Sequence, residues 1–514
     1  NQYITIDEYK SMINVTDTKS ETLSYMELIF KKLNNDEKHL LLQLSLIHNR
    51  NFTKHLVQVI NTSNKEGSLS SLYLLIKYGL VEEKIGEERG VFEMHDIVKN
   101  TVLEFTDPKK IEEALKENII KINELMTTSG FNIRKHFHED PTLAANIEIL
   151  LENVAKYDVN IIDVMEMKKN LMIYYIIQLD YINWKKILDW FDLQEKKERI
   201  SADNGDPRHR LIYAWYKTYR GAYYEFAQAR SYKDFLDAKY IYDADQRDPA
   251  LGFFIYANLA QVDVFRGEVQ KALAAIEIAR QIAEGNKGDF DFGLLWCVSA
   301  TVNMEASRYA LALEEVNKAI KFEENAPQDQ YTLASFVIKS RILNRSESYK
   351  EAFEVALKAY EKSKEYHNYD SEQQGTILNS LALAAANTNK LDDAEKYVQL
   401  ARKILLEYLP GIKNIKIEES DSFDIADNFL VEGDILFSKK LYMEALLKYK
   451  FAEKIYHNRY ENNPADIISL VYYKIAIAAY YAKDSFTYKQ YTKMHESLFG
   501  VGHVRSKRLY ILKI

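Results

Sequence analysis

The sequence predicts an all-α protein, built largely from repeated helical hairpins. Only 17 glycines and 7 prolines occur in 514 residues, against an average usage of roughly 7% and 5%, which excludes collagen-like and turn-dense all-β chains. The later prolines and intervening turn signals recur about every 40 residues, the spacing typical of a helical repeat array. With 47% hydrophobic and 28% charged residues, the chain can bury sizeable cores in two or three domains.

Charge and cysteine content restrict the partners and the compartment. The net charge of −8 argues against nucleic acid or an acidic membrane surface as the default partner. Cys297 is the single cysteine and cannot form an internal disulfide, so we expect a cytoplasmic protein. No run of about 18 apolar residues predicts a membrane span, and no secretion signal opens the chain.

Three short helices are predicted in the first hundred residues. The first begins at Asn35, the second follows Thr53, and the third begins near Ser68 and ends at Gly79, a residue suited to a helix C-terminus. A further helix, Leu23–Leu33, precedes them as a linker. The apolar periodicity of each segment favours a helix with one buried face.

Two predicted strands follow these helices. Leu80–Ile85 and Val91–Met94 flank the hairpin signal Gly86–Gly90. Three helices and a two-stranded wing predict a winged-helix domain over residues 1–106. Those residues hold 12 Lys/Arg against 15 Asp/Glu, and the third helix, taken as Ser68–Lys77, carries one basic side chain. Because DNA affinity depends on several phosphate contacts, we expect no nucleic-acid binding.

A four-position pattern of apolar and small residues, at spacings of 3, 4 and 3, recurs five times in the later part of the chain. These spacings place all four positions on one helical face. The five sets are Val269, Ala272, Ile276 and Ala279; Tyr309, Ala312, Val316 and Ala319; Tyr349, Ala352, Ala356 and Ala359; Leu391, Ala394, Val398 and Ala401; and Tyr442, Ala445, Tyr449 and Ala452. Twelve residues before each first alanine lies a small residue: Ala260, Ala300, Ser340, Ala382 and Gly433. Small residues at these places let two helices of a hairpin approach closely.

This spacing resembles the tetratricopeptide repeat (TPR), whose helices meet at small residues. A bundle with alanine-rich seams is the alternative, and five sets in phase favour the repeat. The five units are 249–287, 288–326, 328–367, 368–409 and 410–463, with 208–248 and 464–500 as degenerate members. The array is predicted over residues 207–514, and 107–206 is a helical linker region without a repeat. The long hairpins resemble those of peptide-sensing bacterial TPR regulators.

Met94-His95-Asp96 follows the second predicted strand and leads into a helix through Val102 and Phe105. This context resembles the MHD motif of NB-ARC-type STAND signalling ATPases. The resemblance implies that His95 contacts the β-phosphate of bound ADP and holds the inactive state, while Asp96 caps the next helix. The alternative is a histidine that packs at a domain edge.

The sequence predicts no catalytic residue and no metal ligand. No G-x-x-x-x-G-K-[ST] loop is present, so the chain is not expected to be an enzyme and has no cofactor of its own. ADP or ATP enters only with an ATPase domain upstream of Asn1. The preferred function is the regulatory and sensor region of a STAND-type ATPase, whose concave TPR surface binds a protein or peptide and which oligomerises in the full-length form. A stand-alone TPR scaffold or peptide receptor and a TPR-containing transcription regulator are the alternatives. The groove residues cannot be assigned from sequence.

Overall fold

A computed structural model describes residues 27–61, 65–84, 90–127, 133–178, 180–197, 200–201, 205–226, 232–286, 290–324, 333–364, 372–408, 415–460 and 465–512. The chain forms two compact units, residues 1–174 and 175–514. The division into 1–106, 107–206 and 207–514 stays a prediction.

The first unit contains small helices around a short sheet. Its elements are α1 Asn35–Ser45, β1 Phe52–Thr53, α2 Lys54–Ile60, α3 Lys65–Lys77, β2 Glu82–Glu83, β3 Val91–Glu93, α4 Asp96–Phe105, α5 Pro108–Thr127, α6 Ile133–Glu139, α7 Leu143–Val154 and α8 Ile161–Ile177. Residues 27–32 are helical; the start of the predicted linker helix and residues 85–89 of the predicted hairpin lie outside the described residues.

Side-chain caps explain where the first helices begin and end. Asn34 and Glu37 form a reciprocal capping box at α1, and Thr53 accepts a hydrogen bond from the Leu56 amide at α2. The predicted stop at Gly79 is confirmed, because its positive φ of 69° ends α3 in the left-handed conformation that glycine adopts without strain. The third helix begins at residue 65, three residues before its predicted start.

The sheet has three strands in the order β1-β3-β2, with both pairs antiparallel. The two predicted strands are present but short. The strand β1 is not among those predicted from the sequence. In it, Phe52 pairs with Phe92, and the two rings lie 6.1 Å apart. A two-residue strand leaves no periodic signal to detect.

The second unit is all-α, which confirms the predicted fold class. It begins with α9 Tyr181–Lys196, α10 Pro207–Phe226 and α11 Tyr232–Ala244. Among the described residues, six helical hairpins follow: hairpin 1, α12 Pro249–Phe265 and α13 Val269–Gly285; hairpin 2, α14 Phe292–Glu305 and α15 Tyr309–Glu323; hairpin 3, α16 Leu333–Arg345 and α17 Tyr349–Ser363; hairpin 4, α18 Glu372–Asn387 and α19 Leu391–Tyr408; hairpin 5, α20 Phe423–Ser438 and α21 Tyr442–Tyr460; and hairpin 6, α22 Asp466–Tyr481 and α23 Ser485–Phe499. A 3-10 turn, Ile417–Glu419, precedes hairpin 5, and α24 Val504–Ile511 follows hairpin 6.

All six hairpins turn in the same way. The residue two places before each second helix has a positive φ: Gly267, Ser307, Glu347, Asn389, Lys440 and Lys483. The next backbone amide donates to a carbonyl five residues earlier, at 2.8–2.9 Å, which is the Schellman arrangement. Residues 464–500, expected to be a degenerate repeat, therefore contain a hairpin with the same turn as the others.

The predicted seams lie in the core. All the alanines of the five sets and the paired Ala260, Ala300 and Ala382 are at most 1% exposed. At Gly433 an added Cβ would lie 2.4 Å from the Tyr449 ring, so a tyrosine on one helix requires glycine on the other. The seam residues set how closely each pair of helices packs.

Hairpin 6 packs back on hairpins 2 and 3. Asp466, at the start of α22, is 5% exposed and accepts hydrogen bonds from Ser307 (2.8 Å), Tyr309 (3.1 Å), Arg345 (2.9 Å) and Arg505 (2.8 Å). The first three donors are more than 120 residues away in sequence. The array therefore closes on itself around a buried carboxylate.

In the part of the chain that the structure describes, no helix is long and apolar enough to cross a membrane.

Candidate functional site

Met94, His95 and Asp96 lie together at the junction of β3 and α4. Met94 is buried, its amide donates to the Asn49 carbonyl, and its own carbonyl accepts from the Asn49 side chain at 2.9 Å. His95 is exposed. The hydrogen bonds between Met94 and Asn49 therefore fix the backbone next to the histidine, whose side chain faces solvent.

The assignment of Asp96 as the helix cap is wrong. His95 is the N-cap, and its Nδ1 accepts from the Ile97 amide at 3.2 Å. Asp96 instead accepts from Asn49 at 2.7 Å and forms an ion pair with Arg50; these hydrogen bonds, first that of Arg50 and then that of Asn49, lower the pKa of Asp96. The Asp96 carboxylate is thus engaged by the Arg50 guanidinium and the Asn49 side-chain amide, 46 and 47 residues earlier in the sequence. The imidazole of His95 therefore caps the helix instead.

Capping fixes the form of the imidazole ring. A neutral imidazole that accepts at Nδ1 carries its proton at Nε2. No described residue forms a hydrogen bond with Nε2 of His95. The side chain thus presents an exposed N–H donor beside the N-terminus of a helix, where anions are favoured.

A second candidate site is a cavity of about 310 Å³ inside the unit formed by residues 175–514. The first helices of successive hairpins form most of its wall: Phe254, Asn258, Gln261, Val262 and Phe265 from α12; Leu294, Cys297, Val298 and Thr301 from α14; and Ala334, Val337, Ile338 and Arg341 from α16. Gln373 and Thr376 of α18 and Phe423 and Asp424 of α20 continue it, and Trp184, Phe235 and Arg459 also contribute.

The spacing of these residues shows how the cavity is formed. On α14 and α16 they recur at i, i+3, i+4 and i+7, which marks one face of each helix. The alanine seams occupy another face of the same helices. Each first helix therefore contacts its own hairpin partner on one side and the cavity on the other.

Among the described residues, four charged side chains line the cavity, and each contacts a neighbouring group. Arg341 pairs with Asp424 and stacks over the Phe423 ring at 4.6 Å. The Arg459 guanidinium stacks over Phe265 at 4.3 Å and donates to the Asp421 carbonyl at 3.5 Å. Glu323 is 4% exposed and accepts from the Ser335 hydroxyl at 2.5 Å.

Two carboxamides in the wall are not saturated by the described residues. Gln261 on α12 forms no hydrogen bond with them, and Oε1 of Gln373 on α18 is buried without a partner there. Cys297 is buried, and burial raises the pKa of its thiol well above the ordinary value. A thiol held in its protonated form is a packing residue and a poor nucleophile.

The sequence contains a signal for this cavity that the spacing of the alanines does not reveal. The α12 segment PALGFFIYANLAQVDVF and the α14 segment FGLLWCVSATVNME are apolar on almost every face. A helix that is apolar all round needs apolar surroundings on all sides, and the seam accounts for only one of them. The second apolar face indicates an internal surface.

Among the described residues, no group of three His, Cys, Asp or Glu side chains is arranged to hold a metal ion.

No family model matches the chain, and no curated protein matches it. Among solved structures, a STAND protein with a tetratricopeptide repeat sensor from Pyrococcus horikoshii is similar over 98% of this chain and 63% of its own length, at 15% identity and a TM-score of 0.36. This chain thus spans less than two thirds of that protein. A Rap protein complexed with competence and sporulation factor is similar over 68% of this chain and 93% of its own, at 12% identity and a TM-score of 0.47. NprR in complex with its cognate peptide NprX is similar over 67% and 96%, at 13% identity and a TM-score of 0.44.

Proposed function

We propose that the protein is a sensor whose helical array binds a peptide or an extended protein segment in the internal cavity. One observation carries the proposal: faces of four successive first helices, from α12 to α18, line one concave, mainly apolar cavity with unsaturated carboxamides. Its volume of about 310 Å³ lies at the lower end of the range of ligand pockets, roughly 300–1,000 Å³. Concave surfaces of helical repeats are suited to peptides.

Filling the cavity tests this proposal. Thr301 lies on the cavity face of α14 and is only partly buried, so Thr301→Trp places an indole in the space that a ligand would occupy. Ile338→Trp fills the same cavity from α16. Ala310→Trp adds the same side chain at an exposed position of α15 and is the matched control.

The experiment is a selection of phage-displayed heptapeptides on the parent protein, followed by calorimetry with the selected peptides. We expect saturable binding with one site per chain, lost in Thr301→Trp and in Ile338→Trp and retained in Ala310→Trp. Peptides that bind all four proteins equally well would show that the cavity is not the site. Helical circular dichroism of each variant separates lost binding from lost folding.

We further propose that this sensor belongs to a STAND-type signalling ATPase, with the unit of residues 1–174 containing a winged helix and its MHD-like motif. The observation that favours this reading is the exposed Nε2–H donor of His95, which follows the Met94 backbone held by Asn49 and whose ring is fixed by the cap of α4. A phosphate oxygen is a suitable acceptor for such a donor. A stand-alone scaffold or peptide receptor, or a TPR-containing transcription regulator, needs no such donor.

His95→Ala tests this reading in the form of the protein that carries a nucleotide domain. A hydrogen bond to a charged group contributes about 1.5–3 kcal/mol, so the ADP-bound closed state should be depopulated by roughly one to two orders of magnitude. The expected result is faster ADP release and signalling without a trigger, measured as nucleotide occupancy and basal activity. His138→Ala, another exposed histidine, is the control. Unchanged ADP retention in His95→Ala would make His95 a structural cap only.

A further inference from the structure

Resting on the proposal that the cavity binds a ligand, we infer that it selects an uncharged, largely apolar segment of peptide. The inference comes from the chemistry that the wall leaves unused. Its apolar side chains and neutral carboxamides are open to a ligand, whereas its charged side chains are bonded to one another or to their neighbours.

The charges of the wall balance and are engaged. The lining contains two arginines, Arg341 and Arg459, and two carboxylates, Asp424 and Glu323, and Arg341 and Asp424 form an ion pair. Arg341 also lies 3.7 Å from Asp427, so its guanidinium has a second carboxylate partner. A charged ligand would lose its hydration on entry and would have to compete with the Arg341–Asp424 pair, or with the contacts of Arg459 and Glu323, for a counter-charge. Removing one partner of a buried pair is strongly unfavourable, so the wall disfavours both anions and cations.

Two neutral carboxamides of the wall are able to bond to a ligand. Gln261 and Gln373 project from α12 and α18, on either side of the helices α14 and α16 that line the middle of the cavity. A carboxamide both donates and accepts, which matches the N–H and C=O of a peptide backbone. A buried, unpartnered oxygen such as Oε1 of Gln373 is unfavourable until a donor reaches it.

The remaining wall consists of hydrocarbon and aromatic rings. Trp184, Phe235 and Phe254 contribute rings, and Val298, Val337 and Ile338 contribute branched aliphatic side chains. Such surfaces gain free energy by covering apolar groups. A segment with aromatic or aliphatic side chains and free backbone amides satisfies both the apolar surface and the carboxamides.

Three dyes with a common naphthylamine framework test the charge preference directly. N-phenyl-1-naphthylamine is neutral, 8-anilinonaphthalene-1-sulfonate is an anion, and N-(1-naphthyl)ethylenediamine is a cation at pH 7. Fluorescence titrations of the whole chain, of Thr301→Trp and of Ala310→Trp identify the binding that belongs to the cavity. We expect the neutral dye to bind at this site at least 10-fold more tightly than either charged dye.

Two different results would overturn this reasoning. If a charged dye binds as tightly as the neutral dye and Thr301→Trp abolishes its binding, the cavity is a binding site but does not select uncharged ligands. If no dye and no selected peptide binds in a manner sensitive to Thr301→Trp, the proposed function itself fails. A separate variant, Gln261→Leu, tests the role of the carboxamide. It should weaken the binding of the selected peptides at least 10-fold and leave the affinity for the neutral dye unchanged. Equal peptide affinity in the parent and the variant would refute the role of the carboxamide.

Discussion

Asp466→Asn should open the closure between hairpin 6 and hairpins 2 and 3. The Asp466 carboxylate is buried and bonded to Arg345, Arg505, Ser307 and Tyr309. Burial alone would raise the pKa of Asp466, but the charges of Arg505 and Arg345 outweigh it and lower the pKa to about 2. The group is therefore ionised throughout the physiological range.

The loss of this charge leaves two guanidiniums without their shared partner. Breaking a buried ion pair costs about 3–5 kcal/mol. Arg345 keeps a second partner in Glu305, 3.3 Å away. We therefore expect a loss of unfolding free energy at the lower end of this range, about 3 kcal/mol. The pKa gives a similar value, since a shift of about two units from the unfolded reference corresponds to about 2–3 kcal/mol.

Tryptophan fluorescence during urea unfolding measures this effect. All four tryptophans, at 184, 190, 215 and 296, belong to the unit of residues 175–514, so the signal reports that unit. The control is Asp484→Asn, because Asp484 caps α23 through the Thr487 amide and Asn caps equally well. The reasoning would be refuted if the unfolding free energy of Asp466→Asn lay within 1 kcal/mol of that of the parent, or if Asp466→Asn were no less stable than Asp484→Asn. The Asp466 carboxylate would then not hold hairpin 6 against hairpins 2 and 3.

The contribution of Asp466 to the free energy of unfolding depends on pH with a definite sign. Because the folded pKa of Asp466 lies below the unfolded value of about 4, its contribution is fully present above pH 4 and is lost as the pH falls towards 2. The stability difference between the parent and Asp466→Asn should therefore shrink over this range and remain constant between pH 5 and 8. A difference that stays unchanged down to pH 2 would contradict the assignment.

Three further predictions concern the seams and the partners. Ala352→Leu should overpack the seam of hairpin 3 and lower the free energy of unfolding by about 1–3 kcal/mol in the same urea assay. The control, Ala310→Leu on an exposed face, should change it little. An Ala352→Leu variant as stable as the parent would mean that the repeat alignment is wrong. Gly433→Ala should be similarly destabilising because of the Tyr449 ring, and in a Tyr449→Val background the same substitution should cost much less; equal costs in the two backgrounds would exclude the steric coupling. In a gel shift we expect no duplex DNA binding at physiological salt, and a sub-micromolar, salt-sensitive affinity would instead favour the transcription regulator.

The sequence by itself determined the local structure of the array. The 3-4-3 spacing of Ala312 and its counterparts, the small residue twelve positions earlier and the period of about 40 residues depend only on positions within one hairpin. A helix places residues three and four apart on one face wherever it occurs, so these features could be predicted without any long-range contact. The same holds for the stop at Gly79, which needs only a positive φ.

Tertiary structure alone decided the cavity and the closure. Gln261 and Gln373 come from helices more than 100 residues apart, and Ser307 lies 159 residues from Asp466. Which faces converge depends on the small rotation from each hairpin to the next, which accumulates along the array and leaves no periodic trace in the sequence. The exchange of roles at α4 has a similar origin, because Asp96 bonds to Arg50 and Asn49 and so leaves His95 to cap the helix.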